Sequence, residues 1–120
     1  MLNSAIVNKL KTGTIKNVIL FADSMMIPPP PYAVVKPENG AIPGTRQYRI
    51  IVHIDQGLMD ELERYVFVEL AELLESQTLE DEEGRFYKLK SSGEWTDVRV
   101  DPYDQAIYME RVFYIPFRIA

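Results

Sequence analysis

Residues 46–77 read RQYRIIVHIDQGLMDELERYVFVELAELLESQ, and their periodicity decides the fold class. Tyr48, Ile50, Val52 and Ile54 fall on one face at period two, as a half-buried strand requires. Asp55-Gln56-Gly57 breaks that pattern. Leu58, Leu62, Tyr65, Val66, Leu70, Leu73 and Leu74 then recur at helical spacing, which predicts one helix over 58–77, on the order of 30 Å long. Asp55 is the expected N-cap, its carboxylate accepting from free amides of the first turn. Glu61, Glu63, Glu69, Glu72 and Glu75 lie off the apolar stripe, so the helix has an acidic back.

Upstream, Leu2, Ala5, Ile6 and Leu10 are spaced as a short helix, with Lys9 and Lys11 where cations favour the helix C-terminus. Gly13 is its expected stop. Residues 17–22 form a brief apolar run, read as a strand or extended arm. Pro28–31 lack backbone donors and are expected to be extended, a stiff spacer delivering Tyr32 into a strand over 32–36. The loop 37–44, with two prolines and two glycines, makes that strand and 46–54 an antiparallel pair.

Downstream, Glu80-Asp81-Glu82-Glu83-Gly84 reads as an exposed acidic loop. Residues 86–90 and 95–100 flank Ser91-Ser92-Gly93-Glu94 as an expected hairpin. The longest alternation is 108–119, with Met109, Arg111, Phe113 and Ile115 on one side and Tyr108, Glu110, Val112 and Tyr114 on the other. Pro116 lacks a ladder donor, which makes this strand an edge there or bulges it, and a last strand with one donor missing is a docking edge for another subunit. The expectation is one α+β domain over 1–120: an N-terminal helix (1–11), an extended arm (12–31), and a core (32–120) with an 86–100 hairpin. In that core a mostly antiparallel sheet carries one long central helix. Ile50, Val52, Leu62, Val66, Leu70, Val112 and Phe113 are its expected core.

With 120 residues the chain is long enough for one core and not two. The absence of cysteine removes disulfides and thiolate chemistry and fits a reducing compartment. No apolar run approaches the roughly 20 residues a membrane span needs, and the N-terminus lacks a signal-peptide layout, so a cytosolic protein is expected. The net charge of −5 is split: residues 1–49 carry six basic and two acidic residues, 50–83 one and eleven, and 84–120 six and five. An acidic middle of −10 repels nucleic acid.

The residues compose no reaction centre. His53 is the only histidine, opposite the apolar face of its strand, which excludes a histidine-rich metal site and leaves a surface or interface role. The loop 80–84 departs from a calcium-binding loop at Leu79 and Lys90. Asp101 and Asp104 flank a Pro-Tyr turn that needs no cation. The six glycines form no phosphate loop, and no serine has a recognisable base. The expectation is a non-enzymatic protein without metal or cofactor.

The order of short helix, arm, strand 31–36, strand 47–54, central helix and terminal strand 111–119 resembles the tail-terminator and tail-to-head-joining (tail completion) proteins of long-tailed bacteriophages. In that family a "PY/FVVV"-like strand follows an N-terminal helix, a "xYxIxVxI" strand leads into the helix, and a "xxxxYxIxFxI" strand ends the chain. The resemblance implies a homo-hexameric ring on the tail-tube end, in the virion neck after assembly in the host cytoplasm. Its partners are tail-tube protein and head-connector or adaptor proteins, and DNA passes through without specific binding. Under that reading the basic residues Lys9, Lys11, Arg46, Arg49 and Arg118 meet a neighbour's acidic helix or Glu80, Asp81, Glu82 and Glu83. The alternative from the same acidic helix is a small inhibitor that masks a basic partner.

Overall fold

The structure, a computed structural model, describes residues 2–22, 26–40 and 45–116. Its elements run α1 (Leu2–Leu10), β1 (Val18–Leu20), β2 (Tyr32–Asn39), β3 (Arg46–Ile54), α2 (Met59–Arg64), a π-helical turn (Tyr65–Glu69) and α3 (Leu70–Leu74). They continue with β4 (Leu79–Glu80), β5 (Phe86–Tyr87), β6 (Lys90–Trp95), β7 (Arg99–Val100) and β8 (Ile107–Tyr114). The main sheet is ordered β1-β2-β3-β8-β6, with β7 also paired to β8. All its pairings are antiparallel except β1 with β2. The α+β class and the mostly antiparallel sheet are therefore as the periodicity implies.

The expected pairing of β2 with β3 is present, with Val35 opposite Ile50 and Ala33 opposite Val52. β2 is longer than its apolar run. It continues through Pro37 to Asn39, into the expected 37–44 loop, because Glu38 accepts from Gln47 and Arg49 across the ladder. Pro37 lies beyond the reach of β1, where a missing donor is tolerated. Residues 41–44 are outside those described.

Helices cover one face of the sheet only. Leu2, Ile6 and Leu10 of α1 and Leu62, Val66, Leu70 and Leu74 of the second helical segment pack on Val35, Ile50, Val52, Met109 and Phe113. All seven expected core residues are buried, but Val112 lies on the uncovered face. Gly13, expected as the stop of α1, does not adopt positive φ, and a Cβ there would stand 2.5 Å from Glu69 Oε2 and 2.8 Å from Leu73 Cδ1, so those side-chain ends would have to shift. Glu69 also accepts from the Thr14 amide and hydroxyl, which ties the start of the arm to the helical layer. Much of the expected extended arm is thus built into the fold, with Ile15 and Val18 in the core. The proline spacer bends at 29–31 rather than running straight, and the Pro30–Pro31 peptide bond is cis.

The single long helix expected over 58–77 is not what forms. The helical segment is 16 residues, ends at Leu74, and is π-helical in its middle, where the Leu70 amide donates to Tyr65 O. Two causes coincide there. Tyr65-Val66-Phe67-Val68 is a run of aromatic and β-branched residues with low helix propensity. Arg111, on the core face of β8, donates from Nη1 to Val66 O at 2.9 Å and Phe67 O at 3.3 Å, acceptors that the widened turn presents. The row Leu62, Val66, Leu70, Leu74 would drift by about 40° per step in a regular helix. A π turn takes up that drift and keeps all four buried. Nor is Asp55 the N-cap. The Leu58 amide closes a turn on Asp55 O, so the helix begins at Met59 and Leu58 occupies the cap without a side-chain bond.

The expected 86–100 hairpin is replaced by two separate pairings. β5 pairs back onto β4 around the acidic turn, while β6 and β7 both lie along β8. Residues 91–94, read as a turn, sit inside β6, where an irregularity between Ser91 and Trp95 and the positive φ of Gly93 absorb the turn-like composition. The last strand is likewise not an edge. β8 is enclosed between β3 and β6, and its ladder ends at Tyr114, before Pro116 could interrupt it. Residues 117–120 are outside those described. Among the described residues the open edges of the main sheet are β1 on one side and β6 with β7 on the other.

Candidate functional site

The acidic turn is built around a buried carboxylate. Asp81 Oδ1 accepts from the Glu83 and Arg85 amides, both at 2.9 Å, and Oδ2 pairs with Arg85 Nε at 2.9 Å. Burial alone would raise its pKa, but the Arg85 amide and guanidinium and the Glu83 amide hold it below the usual carboxylate value. Asp81 is thus used within the subunit, and Glu83 pairs with Arg85 as well. Glu80 and Glu82 are exposed.

Of the basic residues expected to face a neighbour, Arg49 is neutralised within the chain, 3.0 Å from both Glu38 and Glu110. Its guanidinium is held above its ordinary pKa by hydrogen bonding to Glu38. Lys9 donates to Gln77 Oε1 at 2.6 Å, and Lys11 is exposed at the end of α1. Arg46 lines an open groove of about 300 Å³ with Tyr48, Asp81, Arg85 and Tyr87. The fold therefore brings Arg46 close to the acidic hairpin of its own chain. Arg118 lies outside the described residues. What remains for another molecule is Lys9, Lys11 and Arg46 on one side of the ledger and Glu80 and Glu82 on the other.

Of the larger unpaired sets, Lys11 and the acidic helix were already expected at a contact, and Lys16 was not. Asp60, Glu61, Glu63 and Glu72 on the helix, and Lys11 and Lys16 before β1, make no ion pair among the described residues. Their exposure was legible from the apolar stripe, but their lack of partners depends on tertiary neighbours.

His53 was also misjudged. It is buried on the uncovered sheet face, stacked between Tyr32 and Tyr108 with ring centroids 4.5 and 4.9 Å away. Nε2 lies 3.0 Å from Asp101 Oδ2, and Nδ1 is buried without a hydrogen-bond partner among the described residues. Tyr32 donates to Asp104 Oδ2 at 3.0 Å, and burial followed by that bond pushes its phenol far up. The other oxygens of the two carboxylates accept from the Tyr103 and Ala106 amides. Burial would raise the Asp101 pKa, but the Tyr103 amide and His53 hold it down. Each carboxylate oxygen is thus engaged: the Oδ2 atoms fasten the turn to the sheet through His53 and Tyr32, and the Oδ1 atoms hold the turn's own amides. The pattern was hidden because β3–β8 register, which sets His53 opposite Tyr108, follows from topology.

Among the described residues no group of three or more His, Cys, Asp or Glu is arranged to hold a metal, and no helix is long and apolar enough to cross a membrane. No protein-family model matches the chain, and no curated protein matches its sequence.

Proposed function

We propose that this chain is a structural subunit that closes into a ring, a tail terminator that caps the tail tube of a long-tailed bacteriophage and joins it to the head. The observation that carries this reading is the unpaired charge split. Helix acids Asp60, Glu61, Glu63 and Glu72 and the lysines Lys11 and Lys16 all lack ion-pair partners among the described residues. Opposite charges left unsatisfied on one subunit favour a heterologous contact, in which two different surfaces meet, and such a contact closes into a ring when its rotation closes. A ring ends a growing tube by occupying its last interface, with no chemical step. Acidic surface turned toward the channel would repel DNA and let it pass. The partners under this reading are further copies, the tail-tube protein and the head connector, and the location is the virion neck.

Mass photometry alone and with polymerised tail-tube protein tests the proposal. A hexamer of the 13.9 kDa chain, about 83 kDa, is expected, together with tubes that stop elongating when it is added. A particle that stays monomeric in both settings, or that instead forms a one-to-one complex with a basic enzyme, overturns it.

A further inference from the structure

We infer that the contact closing this ring is edge to edge: the β6 edge of one copy, led by Trp95, seats against the β1 edge of the next, in a groove flanked by Lys11 and Lys16. The inference rests on the ring reading and specifies its interface. β1 and β6 are the two ends of one open sheet. Hydrogen bonds from Ala33 N–H to Asn17 O and from Phe21 N–H to Val35 O turn the odd-numbered residues of this segment toward β2. The backbone groups of Val18 and Leu20 therefore point to the open side. An open strand edge is a template for another chain unless it is covered.

The two edges are complementary in chemistry. Trp95 is 52% exposed although its ring meets Phe67 edge-on at 5.2 Å, so half of a large aromatic surface faces outward. Glu94 and Asp97 flank it, both exposed and neither in an ion pair among the described residues. At the other edge a shallow groove of about 220 Å³ is lined by Val18, Ile19, Met26 and Pro28 together with Lys11 and Lys16. Met26 is 94% exposed, a flexible thioether suited to packing on an aromatic ring. An aromatic anchor between two acids thus matches an apolar groove between two lysines. Trp is the residue type most often found at the energetic centre of interfaces.

The charges beside Trp95 also bear on the symmetry. A two-fold contact would set Glu94 and Asp97 against their own copies at β6, or Lys11 and Lys16 against theirs at β1, and like charges across an interface are repelled. β6 also carries Lys90, exposed and without an ion pair among the described residues, but Glu94 and Asp97 are the charges that flank Trp95, and the β6-to-β1 arrangement sets them against Lys11 and Lys16. Because it leaves one β6 and one β1 edge free after every addition, it continues until a ring closes.

Charge exchange in the full chain tests this by mass photometry under conditions where the wild type is assembled. E94K/D97K and K11E/K16E are each expected to lower ring occupancy by at least about tenfold. Mixing the two variants is expected to restore a ring of alternating copies, since the reversed edges now match each other. Trp95→Ala is expected to lose the ring with its thermal midpoint near wild type, because among the described aromatic rings Trp95 meets only Phe67. Rings that form as in wild type in either charge variant, or a mixture that stays dissociated, overturn the interface while leaving the ring reading standing. A wild type that never assembles, alone or on tubes, overturns both.

Discussion

Arg111 stands where strand parity puts an apolar residue, on the face of β8 that meets the helices, with its side chain only 13% exposed. A buried guanidinium is tolerated only when its donors are satisfied, and here Val66 O, Phe67 O, Ser91 Oγ and Glu75 accept from it. The planar fork serves several acceptors at once, which an ammonium on a flexible stem does not reproduce. Arg111→Met is therefore expected to cost about 2–3 kcal/mol, since hydrogen bonds to charged groups are worth that much and the carbonyls of the π turn lose their donor. Arg111→Lys should recover less than half of the loss. The urea midpoint measures both, and a loss for Arg111→Met below about 0.5 kcal/mol would show that the π turn stands without the guanidinium.

Elements were legible where one periodicity ran unopposed, and illegible where a tertiary partner decided. The face holding Tyr48, Ile50 and Val52 could be read directly, as could the stripe of Leu62, Val66 and Leu70. The π turn could not, because one of its two causes lies 44 and 45 residues away in Arg111. The sequence shows 91–94 as a turn by composition, yet β8 recruits those residues as a strand, and the actual hairpin turn is organised by the Asp81 carboxylate, which looked like one acid among four. Of the charged residues first assigned to a subunit contact, Arg49, Asp81 and Glu83 proved to be internally paired for the same reason: their partners come from other strands or from the closing of a turn. The hairpin has a pH signature. The folded pKa of Asp81 lies below its unfolded value, so its contribution is complete above the ordinary carboxylate value near 4 and fades as pH falls through the folded one. Asp81→Asn keeps an acceptor for the two amides but loses the ion pair with Arg85. Its urea midpoint should fall below wild type at pH 7, and the gap should be smaller at a pH well below the ordinary carboxylate value. Wild type will still lose stability in acid, since Asp101 and Glu38 are also held low. An equal gap at both pH values would remove the ion pair from the account of the hairpin.

At the scale of the molecule, what matters is that the two edges lie too far apart to neutralise each other. β1 and β6 are four strand spacings apart, about 19 Å, more than twice the Debye length of about 8 Å at physiological salt. Lys11 and Lys16 at one edge therefore do not screen Glu94 and Asp97 at the other, and each set keeps its field for an approaching copy. Charges at the rim of a contact chiefly set the rate of encounter, while a buried aromatic anchor sets how long the contact lasts. If Trp95 and the lysine-flanked groove form the ring contact, salt should separate the two. Raising NaCl from about 0.05 to 0.5 M is expected to slow ring assembly by about tenfold or more, through loss of steering. Over the same range the lifetime of preformed rings, followed by exchange between differently labelled rings, should change by less than about threefold, because burial of the Trp95 ring is not weakened by salt. Light scattering after dilution from denaturant gives the first rate and fluorescence transfer the second. Should salt shorten ring lifetime as steeply as it slows assembly, the charges would have to be the anchor and Trp95 the rim, reversing the roles assigned to them here.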